Sequence, residues 1–310
     1  MDHAISYLLR QGVFCNDLLY EQLSGGASGA ALYSVTDSNG RYVLKVSRKS
    51  DREEDNTLAD FAKEYAFYNL NKRLKLPFVP KTVYSEKHAE YGFILVMERF
   101  DSIPHSGWDR ELQKKAVDLC AQLNSLDISL FSDLELKRSR IKIDRKAAET
   151  SYHLWLEVIR RHGAEFDEKM LAEIYHHLEV ICPVLNVEPF RICHGDFHPE
   201  NLITDGNQLY MIDWQNLHMG NSAEDISFFI QRGNGFGIQL NTEELFTCYA
   251  EKLSEYTGQD ISVEQLMLEN SASVLLTAFM FWAYYLKDAP CGRVEMFFHS
   301  MVEAYKNIAG

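Results

Sequence analysis

The sequence predicts an α+β chain of two lobes, a small antiparallel-sheet lobe with one main helix followed by a larger, mostly helical lobe. Three observations lead there. A length of 310 residues with 46% hydrophobic side chains is enough for a sizeable core and two lobes. The first hundred residues carry period-two strand patterns divided by turn residues, and beyond residue 100 the apolar positions recur at helical spacing.

Taken in order, Leu18 to Leu23, Ala31 to Val35 and Tyr42 to Ser47 read as strands. Thr36-Asp37-Ser38-Asn39-Gly40 reverses the chain between the last two, and Asn39-Gly40 flanked by apolar runs is a strong hairpin signal. A helix from about Arg52 to Lys72 follows, with Leu58, Phe61, Tyr65 and Tyr68 at helical spacing. Two more apolar runs, Phe78 to Tyr84 and Phe93 to Met97, complete a small sheet. Amphipathic stretches then fall near 109–126, 151–181, 242–256, 262–286 and 292–308, with no internal repeat or low-complexity linker. Pro104 and Gly107 interrupt the periodicity, so the expected division is a first lobe at 1–98, a linker at 99–107 and a second lobe at 108–310.

Composition narrows the function. No window offers the 18 or so uninterrupted apolar residues of a membrane span, and the N-terminus lacks the layout of a signal peptide, so the expectation is a cytoplasmic protein without a membrane. The six cysteines have neither CxxC spacing nor the density of a disulfide framework, and read as reduced thiols. Residues 1–100 hold 13 acidic and 13 basic side chains, whereas residues 101–310 hold 32 acidic against 18 basic. That field disfavours nucleic acid and favours a cationic small molecule in the second part. No obligate protein partner is implied.

The chemistry concentrates between Cys193 and Asp213, in CHGDFHPENLITDGNQLYMID. Asp196 and Asn201 stand five residues apart, and Asp205-Gly206-Asn207 turns the chain so that the apolar run Leu209 to Ile212 carries Asp213 back toward Asp196. Three oxygen-bearing side chains so gathered suit a magnesium phosphoryl-transfer site. In the first lobe, Ser24-Gly25-Gly26-Ala27-Ser28-Gly29-Ala30 is a run of small residues whose backbone N–H groups can approach a phosphate, although it fits neither the Walker pattern nor a full GxGxxG. Lys45, charged among the apolar neighbours of its strand, needs a partner, and Glu64 on the following helix lies on the side shared with Phe61 and Tyr68. Glu53 and Glu54 are the alternative partners.

On these residues the chain resembles the aminoglycoside phosphotransferase and choline kinase superfamily, which has a two-lobed protein-kinase-like fold. His194-Gly195-Asp196-x-His198-x-x-Asn201 and Ile212-Asp213-Trp214, followed by Gly220 and Asp225, carry the resemblance. It implies that Asp196 accepts or orients the proton of an attacking hydroxyl and that Asn201 and Asp213 hold Mg2+ against the phosphates of ATP, with GTP an alternative. It further implies that Lys45, oriented by Glu64, holds the α- and β-phosphates, that Gly26, Ser28 and Gly29 lie over the phosphates, and that the main chain from Met97 through Glu98 to Phe100 receives the base. His194 is expected to brace the loop, His198 to support it or approach substrate, Trp214 to pack behind it, and Asp225 to cap its helix or tie to the loop.

Two imidazoles beside Asp196 would also suit a metallohydrolase, but that reading leaves Lys45 and the glycine loop without a role. A long activation segment and an APE motif, as in protein kinases, are missing after Asp213. An inactive nucleotide-binding module is disfavoured because each catalytic position is filled. The expected acceptor is a hydroxyl of a small, cationic molecule, an aminoglycoside-type antibiotic ahead of choline, ethanolamine or a sugar. Trp155, Phe281, Trp282, Tyr284 and Tyr285 are aromatic candidates for its ammonium groups, against the commoner use of aromatics at helical spacing as core. Gln215, where choline-kinase-like members resemble one another in carrying glutamate, favours the antibiotic branch, which would make the activity one of antibiotic resistance.

Overall fold

The computed structural model describes residues 3–23, 30–47, 56–138, 140–163 and 166–310, without the side chains of 56–60. Two compact units divide the chain: Met1–Leu119, Leu126–Leu136 and His194–His218 form the first, and Cys120–Ser125, Lys137–Cys193 and Met219–Gly310 the second. The segment with Asp196 and Asp213 therefore groups with the sheet residues.

The first unit is built on an antiparallel sheet of β1 (Leu19–Gln22), β2 (Ala31–Asp37), β3 (Gly40–Ser47), β4 (Thr82–His88) and β5 (Gly92–Glu98), in the order β1-β2-β3-β5-β4. The β2–β3 turn is Ser38-Asn39, one residue earlier than the Asn39-Gly40 signal indicates, because Asp37 pairs with Gly40. Asp37 sets it by accepting the Asn39 N–H at 2.8 Å. The run Phe78 to Tyr84 is not one strand. Phe78 and Val79 are buried in a loop, and pairing begins only at Thr82. One face of the sheet is covered by a short helix missing from the sequence reading, α1 (His3–Arg10), whose Ala4, Ile5 and Leu8 pack in one cluster with Val35, Leu44 and Ile94. Tyr7 and Tyr84 fasten it by both donating to Glu86 Oε2, at 2.8 and 2.6 Å.

The main helix, α2 (Asn56–Leu74), buries Phe61, Glu64, Phe67 and Tyr68. Its expected start at Arg52 lies outside the described residues. It stops at Lys75, which takes a left-handed conformation (φ 55°) and donates its N–H to Asn71 O at 2.8 Å.

The second unit is mostly helical. The stretch expected at 151–181 is three helices, Arg145–His162, Glu168–His177 and Ile181–Leu185, the first two N-capped by Asp144 and Asp167. Gly163, at φ 104°, ends the first. Helices Glu224–Gly235, Thr242–Thr257, Val263–Thr277 and Cys291–Ala309 follow. A π-helical turn, Ala278–Trp282, continues Val263–Thr277. Its cause is local: Trp155 Nε1 lies 3.1 Å from the carbonyls of Ala278 and Phe279, and Ser151 donates to that of Met280 at 3.0 Å, drawing them from the regular ladder.

That contact decides between the two readings of Trp155 in favour of core: it is fully buried with Ile174, Leu275, Phe279, Val294 and Met301 and cannot meet an acceptor. Phe281, Tyr284 and Tyr285 are exposed, and Trp282 stacks on Phe297 with centroids 4.1 Å apart. Among the described residues one helical run, Val263–Leu286, is long and apolar enough to cross a membrane by length and composition alone. It carries the buried Glu269 and Asn270 and lends Ala272, Leu275, Phe279 and Leu286 to the core, which is how a central helix is used in a folded domain. All six cysteines are free thiols.

Candidate active site

The polar segment is shaped by a short hairpin. Strands Leu202–Thr204 and Leu209–Met211 pair antiparallel, and the turn between them is set by Asp205, which accepts the N–H groups of Asn207 and Gln208 at 2.8 and 3.0 Å. Asp101–Ser102 adds a third strand along Leu202–Thr204. Ahead of the hairpin, Pro199–Asn201 forms a 3-10 turn whose N-cap is His198. Asn201 reaches back from it and donates to Asp196 Oδ2 at 3.0 Å and to the Asp196 carbonyl at 2.9 Å.

Asp213 follows the last strand in a left-handed conformation (φ 68°, ψ 60°), which a side chain other than glycine adopts only when its surroundings fix it. The constraint comes from both sides. Trp214 is fully buried, stacks on Phe67 with centroids 4.0 Å apart and donates to Met211 O at 3.1 Å. His194 Nε2 donates to Ile212 O at 3.0 Å, while its Nδ1 accepts the Asp196 N–H at 3.3 Å. His194 thus joins the two halves of the segment, and with both ring nitrogens on the backbone it does not have the arrangement of a metal ligand. Gly195, at φ 77°, completes the brace: a Cβ there would lie 2.4 Å from Asn216 O.

On the sheet side, the register that pairs Leu32 with Lys45 and Val43 with Met97 places Lys45 on the face lining the cavity. Lys45 Nζ bonds Glu64 Oε2 at 2.5 Å and Asp213 Oδ1 at 3.1 Å, and lies 5.3 Å from the Phe61 ring centre. Glu64 is therefore the partner, and Glu53 and Glu54 lie outside the described residues. Side-chain exposure rises along the row, from 1% at Glu64 through 7% at Lys45 to 30% at Asp213. Burial opposes both charges of the inner pair. On Lys45 the two carboxylates prevail and hold the ammonium above its ordinary pKa, whereas on Glu64 burial prevails over Lys45 and raises the carboxyl. The 2.5 Å contact decides for the ionised pair. Burial also works to raise Asp196, but His198, His194 and Asn201 bring it below the ordinary aspartate value.

Lys45, Glu64, Asp196, Asn201 and Asp213 line one cavity of about 680 Å³, all within the first unit. Glu98 and Phe100 line it too, with Phe100 stacked on Tyr210 at 4.1 Å. The N–H groups of Glu98 and Arg99 are committed to the carbonyls of Lys81 and Arg41, at 3.0 and 2.9 Å. Gly26, Ser28 and Gly29 lie outside the described residues. The sequence reading missed the apolar walls, Leu32 and Val43 on one side and Ile203 and Ile212 on the other. The alternation that exposes Lys45 to the cavity also exposes Val43, so that signal was present. Among the described residues no group of three or more His, Cys, Asp or Glu side chains could hold a metal ion.

Comparison with known proteins agrees with this architecture. The chain is similar over 99% of its length, and 96% of the other's, to the crystal structure of choline kinase from Cryptosporidium parvum Iowa II, at 13% identity and a TM-score of 0.64. It is similar to a GDP complex of aminoglycoside 2'-phosphotransferase IIIa at 14% identity and a TM-score of 0.59, covering 99% and 98% of the two chains. A spectinomycin phosphotransferase in complex with ADP and spectinomycin matches at 13% identity and a TM-score of 0.53, covering 94% and 92%. These likenesses establish the fold, an α+β kinase-like one. Comparison with curated protein sequences gives no match. The model of the APH phosphotransferase enzyme family matches residues 20–245, most of the chain, and the protein belongs to that family of small-molecule kinases.

Proposed function

We propose that this enzyme transfers the terminal phosphoryl group of ATP, or of GTP, to a hydroxyl of a small cationic molecule, with an aminoglycoside-type antibiotic as the first candidate acceptor. The observation that carries this reading is the meeting of Lys45, Glu64 and Asp213 in one ion-paired row that opens on the cavity shared with Asp196 and Asn201. The acidic excess of residues 101–310 supports a cationic acceptor. Choline or ethanolamine satisfies the same charge and is the second reading. We assign residues 1–98 to nucleotide binding, 99–107 to the hinge and 108–310 to catalysis and acceptor binding, in a cytoplasmic enzyme. Resistance to the antibiotic would be the physiological outcome of the first reading.

The base would lie between Leu32 and Val43 on one side and Ile203 and Ile212 on the other, its edge met by the main-chain groups between Glu98 and Phe100 that Lys81 and Arg41 do not occupy. Lys45 would hold the α- and β-phosphates, kept in place by Glu64, with Gly26, Ser28 and Gly29 over the phosphates. Asn201 and Asp213 fit a hard divalent cation: Asn201 spends its Nδ2 on Asp196, so its Oδ1 is the atom left to coordinate, and Asp213 supplies a carboxylate. Magnesium held there would neutralise phosphate charge. Asp196 would accept a hydrogen bond from the attacking hydroxyl and orient it in line with the phosphorus. Positioning of this kind supplies most of the catalysis in a loose phosphoryl transfer, where the alcohol's proton leaves late.

The test is magnesium-dependent ADP or GDP release across aminoglycosides, macrolides, choline, ethanolamine and simple sugars, with Asp196→Ala as control. Stimulation by aminoglycosides and a loss of about 10²- to 10⁴-fold in kcat for Asp196→Ala are expected. Stimulation by choline or ethanolamine alone selects the second reading. Nucleotide binding without turnover on any acceptor would replace both with a binding module.

A further inference from the structure

His198 is a buried titratable side chain to which the reading above gives no task. The residue is 8% exposed and is the N-cap of the 3-10 turn Pro199–Asn201, accepting the Glu200 N–H on Nδ1 at 3.3 Å. An Nδ1 that accepts cannot carry the proton of a neutral imidazole, so the proton is on Nε2. Nε2 lies 3.6 Å from Asp196 Oδ1. The other oxygen, Oδ2, already accepts from Asn201 at 3.0 Å. The Glu200 carboxylate stands 3.9 Å from Nδ1, beyond hydrogen-bonding range.

We propose that His198 is a positioning residue for Asp196: capping its own turn fixes its tautomer, and the fixed Nε2–H sets the plane of the carboxylate from the side opposite Asn201. The separation of 3.6 Å is beyond a hydrogen bond, and the proposal places its closure in the substrate-bound enzyme. Catalytic hydrogen bonds commonly tighten in this way once substrate is bound. With one oxygen held by an amide and the other by an imidazole, the carboxylate keeps a single orientation toward the incoming hydroxyl. Misplacement of a catalytic group by about 1 Å costs up to about 10²-fold in rate, which sets the scale of the effect. The inference rests on Asp196 acting as the base.

Two substitutions separate the two jobs of the ring. In His198→Asn the amide oxygen stands in for Nδ1 and keeps the cap, but no atom reaches Asp196. In His198→Gln the amide nitrogen stands near the position of Nε2 and restores the donor, while the cap is weakened. For the acceptor that stimulates turnover in the panel above, His198→Asn is expected to lower kcat about 10- to 100-fold, with nucleotide KM and Tm near wild type. His198→Gln should recover most of kcat at a lower Tm. Equal kcat in both variants, or normal kcat in His198→Asn, would overturn the proposal.

A second readout needs no acceptor. Histidine 15N spectra of the full chain, with His198 assigned by its loss in His198→Asn, should give the Nε2–H tautomer and a resonance that moves in Asp196→Asn. An Nδ1–H tautomer, or a resonance indifferent to Asp196, refutes the geometry. Normal turnover of Asp196→Asn would instead sink the base assignment and leave the spectroscopic result to stand by itself.

Discussion

Each unit of the molecule buries a polar cluster, and the two are finished differently. In the first, the row Glu64–Lys45–Asp213 begins in the core and ends at a cavity, so its last carboxylate remains 30% exposed. In the second, Asn124 donates to Ile192 O at 2.7 Å and to Asp225 Oδ2 at 3.2 Å, and its Oδ1 lies 2.7 Å from the Tyr249 hydroxyl. Tyr249 also lies 2.5 Å from Ser222 O, and Arg191 bonds Ser222 and Gln259. Asn124, Asp225 and Tyr249 are at most 1% exposed. Burial of polar side chains therefore does not mark function by itself. A cluster whose polar groups face one another inside the core stabilises the fold, and one that leaves oxygen atoms facing a cavity is poised to bind.

The sharpest way to break this contrast is Glu64→Gln. It leaves Lys45 deep in the protein without its inner anion, and removal of one partner of a buried pair costs about 3 kcal/mol or more. Thermal unfolding should record that loss, and steady-state kinetics with varied nucleotide should record a fall of roughly 10²-fold in kcat/KM, the scale of a misplaced catalytic group. A destabilised variant with unaltered nucleotide KM would make the row as purely structural as the Asn124 cluster.

Asn124→Ala is the counterpart. Its loss takes one hydrogen bond each from the Ile192 carbonyl, Asp225 and Tyr249, at a cost of about 2 kcal/mol, and Tm should fall while nucleotide KM stays at its wild-type value. An altered KM would show that the second cluster also serves the nucleotide.

The smallest effect belongs to Glu86, where Tyr84 and Tyr7 hold α1 against β4 from a half-buried position. The Tyr84 hydroxyl, with Tyr7, keeps the Glu86 carboxyl below its ordinary pKa against the pull of burial. A depressed carboxylate stabilises the fold fully above the unfolded-state pKa and loses that contribution as pH falls through the folded value. Glu86→Gln should therefore lower stability by up to about 1 kcal/mol near neutrality. The Tm gap from wild type should close as the pH is taken below about 4. A gap independent of pH would mean that packing, not the carboxylate, holds the helix.

Legibility in the sequence followed the range of the interactions. The polar segment was readable because Asp196, Asn201 and Asp213 are tied by a hairpin of local turns, and Lys45 because a charge in an apolar strand is anomalous. The second cluster was not readable, since Asn124, Ile192, Asp225 and Tyr249 meet only through tertiary folding. α1 was passed over because eight residues give too short a periodicity to stand out, although Ile5 and Leu8 are three apart. Trp155 kept two readings, core and acceptor wall, because an aromatic at helical spacing looks alike whether it faces a ligand or a neighbouring carbonyl.

Gly195 carries a consequence for how such an enzyme can diversify. Its missing side chain lets the turn that carries Asp196 press against the main chain of Asn216, where a Cβ would stand only 2.4 Å from the carbonyl oxygen and so has no room. The gap between the two acidic segments is thus gauged by backbone against backbone, a dimension that no exchange of neighbouring side chains can reset. A chain that keeps this contact is free to vary only where side chains, and not backbone, set the wall of the cavity.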